Sequence, residues 1–239
     1  MTESCQIPPK EKIMRINGLL LTWSCFYVGT TLAADFSVAI DMGHSLLHPG
    51  AKSASGVDEF HFNQALAKGL HNKLKQTGIS SLLIGDKGDI TELKQRTQLA
   101  ATQSLFISLH HDSVQPQYLP IANQYHGYSI FISKKNPYPD KSMACAHQIA
   151  LQYQAAGLTP TLHHAEAITG ENRPLADKKL GIYWFDDLIV LKTAHQPAVL
   201  VESGVIVNSK EEQWLASASG RKILTQALSN AIQLCEKQI

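Results

Sequence analysis

The chain has 239 residues, enough to bury a full core in one domain that carries a leader. Its 21 basic and 20 acidic residues nearly cancel. No excess of Lys and Arg marks a nucleic-acid footprint, and the balance argues against an anionic membrane surface as partner.

Residues 1–34 read as a secretory signal peptide. Lys10, Lys12 and Arg15 give a positive start, Ile16 to Thr30 is mostly apolar, and Thr31-Leu32-Ala33-Ala34 supplies small residues for cleavage after Ala33 or Ala34. The apolar stretch is short for a span of roughly 20 residues. Cleavage leaves a soluble domain over 35–239, periplasmic or secreted, without a membrane segment and with 18 charges of each sign. Cys5 and Cys25 leave with the leader. Cys145 and Cys235 remain, and an oxidising compartment lets them pair if their Cα atoms approach within about 7 Å. Sequence alone leaves that open.

Short β-rich runs then alternate with helical patterns, the order of an α/β domain. Strands are predicted at Phe36–Asp41, Ile79–Ile84, Leu105–Leu109, Gly127–Ser133, Leu188–Lys192 and Ala198–Val201. A helix from Val57 to Gln76 carries Phe62, Leu66, Leu70 and Leu74 at i, i+4 spacing and stops at Gly78. Others are predicted from Thr91 to about Thr102, from about Pro139 to Ala156, and from Ser209 to Glu236, the last opening on a Ser209/Glu212 capping box. Gly157–Asp187 resists assignment. With no repeat or linker in view, the expectation is one domain, a mixed sheet of about six strands flanked by helices.

Three apolar runs end in chemistry. His44 follows Val38-Ala39-Ile40-Asp41-Met42-Gly43, His110 follows Leu105-Phe106-Ile107-Ser108-Leu109, and Glu202 follows Ala198-Val199-Leu200-Val201. Strand ends are where such a sheet offers side chains to a ligand. Glu59, in the first turn of the first helix, reaches the same edge. Two imidazoles and a carboxylate form a hydrolytic zinc set with one position left for water; Glu202 can move protons. Period two sends His110 and His111 to opposite faces of a regular strand. A lone His is more often a packed or solvated residue than a ligand, so spacing by itself leaves the set undecided.

Taken in order, Ile40-Asp41-Met42-Gly43-His44, Pro49-Gly50-Ala51, Glu59, Ser108-Leu109-His110-His111-Asp112 and Pro197-Ala198-Val199-Leu200-Val201-Glu202-Ser203-Gly204 resemble the zinc-dependent N-acetylmuramoyl-L-alanine amidases with an amidase-3 catalytic domain. The resemblance covers about Phe36 to Leu234. It implies one zinc ion per chain held by His44, Glu59 and His110, with Glu202 as the catalytic glutamate. The implied partner is peptidoglycan, cut between the lactyl group of N-acetylmuramic acid and L-alanine by zinc-activated water, in a monomer. Some relatives plug the site with an inserted helix, for which the run from Ser133 to Met143 leaves no room. Ser45 stands where the family usually has Gly, Leu46-Leu47-His48 follow, and His111 replaces a small residue; these departures bear on substrate fit.

Other polar residues receive weaker readings. Asp41 and Asp112 either hydrogen-bond the ligating imidazoles or cap loops. Arg96 reads as a structural ion-pair partner, and His71 and His147 as helix-surface residues. Nothing in the sequence assigns His126, His163, His164 or Arg173 a contact with metal or substrate, and no substrate-binding residue is identified. Two rival functions stand beside the amidase: a zinc peptidase cutting within the stem peptide, and a non-catalytic wall-binding protein, against which the intact His/Glu/His/Glu set argues.

Overall fold

The computed structural model describes residues 35–239, so the leader assignment lies outside the described residues. Seven strands form one mixed sheet: β1 (Ser37–Met42), β2 (Ser80–Ile84), β3 (Leu105–Asp112), β4 (Ser129–Ile132), β5 (Leu175–Asp177), β6 (Ile182–Trp184) and β7 (Ala198–Val205). Their spatial order is β2-β1-β3-β7-β4-β6-β5. β2, β1, β3 and β7 run parallel; β4 meets β7 antiparallel, pairs in parallel with β6, and β5 closes the far edge antiparallel to β6.

The period of two sorts each central strand onto two layers. Val38, Ile40 and Met42 of β1, Leu105, Ile107 and Leu109 of β3, and Val199 and Val201 of β7 share one core with α1 (Glu59–Gln76), α3 (Pro139–Ala155) and α6 (Ala218–Glu236). Ala39, Phe106, Ala198 and Leu200 point the other way, into a smaller core with Val190 and Leu191 of α4 (Ile189–Thr193). α2 (Leu93–Leu99) lies against α4. The α1 stripe of Phe62, Leu66, Leu70 and Leu74 is buried as its spacing requires, each side chain contributing about 1.5–3 kcal/mol of apolar burial.

Four expectations need correction. Leu188–Lys192 is a helix, because a short apolar run fits a buried turn as well as a strand; Asn136 Nδ2 donates to Leu191 O at 3.0 Å and helps fix its end. The seventh strand arises because unassigned Gly157–Asp187 supplies β5 and β6, three residues each and too short for alternation to register. The C-terminal helix is two, α5 (Ser209–Ala216) and α6, broken at Ser217, whose Oγ accepts from Gly220 N at 2.9 Å. The N-cap of α5 is Asn208, accepting from Lys210 N and Glu211 N, not Ser209. Glu212 instead accepts from the hydroxyls of Ser53 and Ser55 and pins that loop.

α3 and α6 pack together, and Cys145 and Cys235 join them as a disulfide with Cα atoms 5.0 Å apart. β4 passes to α3 through residues 133–138 with no inserted helix. No helix among the described residues is long and apolar enough to cross a membrane.

Candidate metal centre

β1, β3 and β7 are parallel, so their C-terminal ends meet at one sheet edge. His44 lies just past β1 with φ of +72°, a left-handed conformation uncommon for a side-chain-bearing residue. Buried Arg96 holds this turn: it pairs with Asp41 at 2.7 Å and donates to the carbonyls of Met42 and His44. The other oxygen of Asp41 accepts from Ser108 Oγ at 2.7 Å. Asp41 therefore braces the turn and hydrogen-bonds neither His44 nor His110, while Arg96 is the structural ion-pair partner expected.

The geometry brings His44, Glu59 and His110 together, with one ligand atom from each lying within 4.8 Å of the others. Glu59 Oε2 is 2.9 Å from His44 Nε2, and Oε1 is 3.1 Å from His110 Nδ1. The carboxylate is held from behind: Ala51 N reaches Oε2 at 3.2 Å, while Asn63 Nδ2 and His111 N reach Oε1 at 3.1 and 3.3 Å. Burial would raise the Glu59 pKa, but hydrogen bonds and charge from His110 and His44 hold it well below the usual carboxylate range. Ionised carboxylate and imidazole are the donors zinc prefers. At the rim, His44 is 31% exposed against 6% for Glu59, and a cleft lined by His44, His48, Thr91, Leu188 and His110 approaches from the α2/α4 side.

Two glycines make room. A Cβ on Gly43 would sit 2.2 Å from the His110 ring, and one on Gly50 only 2.4 Å from Glu59 Oε2. Ser45, where the resemblance has Gly, is buried with its Oγ accepting from His48 N at 3.1 Å, while Leu46 and Leu47 face solvent. His111 turns away from His110, as alternation requires, and donates from Nδ1 to Asn63 Oδ1 at 2.8 Å. Burial pushes its pKa down to about 4 and keeps the ring neutral. It thereby orients the amide that in turn orients Glu59. Sequence reasoning missed Asn63, one helical turn after Glu59, where i, i+4 spacing was the available signal.

Glu202 stands beside His110 in the register of β3 and β7. Its Oε2 is buried without a hydrogen-bond partner. Burial first, then the charges of Asp112 and Glu59, push its carboxyl well above the ordinary range. Beyond it the strand pairing slips between His110 and Asp112. Asp112 touches neither His44 nor His110; it faces His163 and His164, two rings that loop placement alone left without a role. Arg173 lies over the Phe185 ring at 3.9 Å, and His71 Nδ1 lies 2.8 Å from Ser81 Oγ.

Residues 38–234 match the family model described as N-acetylmuramoyl-L-alanine amidase. The chain is 23% identical over 220 residues to the amidase AmiC of Neisseria meningitidis serogroup B, covering 82% of this chain and 51% of that one. It is 24% identical over 232 residues to AmiA of Escherichia coli K12, covering 82% and 74%. It thus spans about half the length of the first relative. The catalytic domain of the amidase CwlV from Bacillus (Paenibacillus) polymyxa superposes with a TM-score of 0.67 at 25% identity, covering 85% of this chain and 99% of that one. An amidase from Clostridium difficile 630 shares the fold, with a TM-score of 0.68 at 21% identity over 84% and 96%. By this match across most of its length, the chain belongs to the N-acetylmuramoyl-L-alanine amidase family.

Proposed function

We propose that this chain is a zinc-dependent amidase of peptidoglycan, cleaving the amide between the lactyl group of N-acetylmuramic acid and L-alanine. The observation that carries the reading is the convergence of His44, ionised Glu59 and His110 at one sheet edge, with Glu202 in register beside His110. The three donors fit zinc in kind, and Glu59 is held from behind by Ala51 N, Asn63 Nδ2 and His111 N. When bound, zinc supplies Lewis acidity toward the amide carbonyl and makes water a better nucleophile.

The chain's own residues do the rest. Glu202 accepts a proton from the attacking water and returns it to the departing L-alanine amine. A carboxyl whose proton affinity is raised by burial suits both transfers. The cleft on the α2/α4 side admits substrate past His44 and His48. Residues 1–34 direct the chain across the cytoplasmic membrane, and the domain acts in the periplasm or outside the cell. With no insert between β4 and α3, the site works without an activating partner.

Digestion of purified sacculi, with and without chelator, followed by mass analysis of the products tests the reading. The expected products pair a free lactyl carboxylate on the glycan with peptides beginning at L-alanine, and chelator abolishes both until zinc is restored. Peptides cut inside the stem would make the chain a stem peptidase; binding to sacculi without release would make it a wall-binding protein.

A further inference from the structure

The second cluster on this face has the same construction as the first. Asp112, His163 and His164 each offer one ligand atom within 4.8 Å of the others. Both imidazoles turn Nε2 toward the same Asp112 Oδ2, at 3.4 Å for His163 and 2.8 Å for His164. The rings lie against each other, centroids 4.0 Å apart. Each ligand is tied down at its far atom. Asp112 Oδ1 accepts from Ser113 N at 2.8 Å, His164 Nδ1 meets Glu171 Oε2 at 2.8 Å, and His163 Nδ1 meets Thr161 Oγ1 at 2.9 Å.

These contacts leave one inner atom unsatisfied. His163 is 6% exposed, yet its Nε2 has no hydrogen-bond partner. Such an atom is costly to bury unless something binds it. The carboxylate behind His164 is the arrangement that orients and strengthens a metal-ligating imidazole. Negative charge from Asp112 and Glu171 favours a cation between the rings. Walls of Tyr125, Phe131 and Tyr183 restrict water, while His164, 13% exposed, leaves a way in.

We propose that Asp112, His163 and His164 form a second divalent-cation site, separate from the His44/Glu59/His110 set. Two imidazoles and one carboxylate select zinc over magnesium or calcium, and three protein ligands leave a position for water.

Equilibrium dialysis of the purified full chain against zinc, with elemental analysis, reads the stoichiometry. The expected counts are two zinc ions per chain, one in His163→Gln, one in His44→Ala and none in the double variant, with circular dichroism confirming folded protein. A folded His163→Gln chain that binds as much zinc as the parent overturns the proposal, as does a folded His44→Ala chain that binds none. If His44→Ala retains both ions while His163→Gln loses one, the second site stands and the ligand set proposed for the amidase falls. Should His163→Gln not fold, Glu171→Gln takes its place. It is expected to weaken one of the two zinc sites about 10- to 100-fold, and an unchanged titration overturns the assignment.

Discussion

Glu202→Gln keeps the shape of the side chain and removes its proton-accepting power. Turnover is expected to fall about 100- to 10,000-fold, the usual contribution of a positioned acid or base, with bound zinc unchanged. Comparable rates in the two proteins would take Glu202 out of the chemistry. Asn63→Ala tests the bracing of Glu59, since Asn63 joins Glu59 Oε1 to His111 and to Gly43 O. The expected loss is about 10- to 100-fold in zinc affinity, measured by calorimetric titration. An unaltered affinity would mean that Ala51 N and His111 N hold the carboxylate alone. His44, His110 and Glu202 stood out in the sequence because each polar residue ends an apolar run. Asn63 did not, because its task appears only when α1 lies across β3.

At the scale of elements, the break between α5 and α6 is set by one hydroxyl. Ser217 ends α5 by donating to Trp214 O and opens α6 by accepting from Gly220 N. Ser217→Ala is expected to cost about 1 kcal/mol, typical of a lost N-cap, read as a lower urea midpoint with unchanged slope. No shift would show that packing of Trp214 on Gly220 fixes the corner instead. The long strands and helices were legible because period 2 or 3.6 repeats several times within each. α4 was misread as a strand, and β5 and β6 escaped, because five or three residues carry no period. Their state is decided by what they pack against or pair with.

For the whole molecule, the Cys145–Cys235 bond closes a loop between residues 90 apart in sequence and ties α3 to α6. Reduction, or Cys145→Ser with Cys235→Ser, is expected to lower stability by about 2–4 kcal/mol, measured by denaturant unfolding with and without reductant. Identical midpoints would show that packing of the two helices suffices without it. The sequence by itself determined the α/β class, the apolar strands and the identity of the residues at their ends, because hydrophobic periodicity and residue chemistry are local properties. Only the tertiary structure decided that two of those residues, His44 and His110, meet Glu59 within 4.8 Å, that the two cysteines meet, and that His163 and His164 turn on Asp112. Those meetings depend on strand order and on how helices and loops pack against the sheet, and both are fixed by non-local contacts.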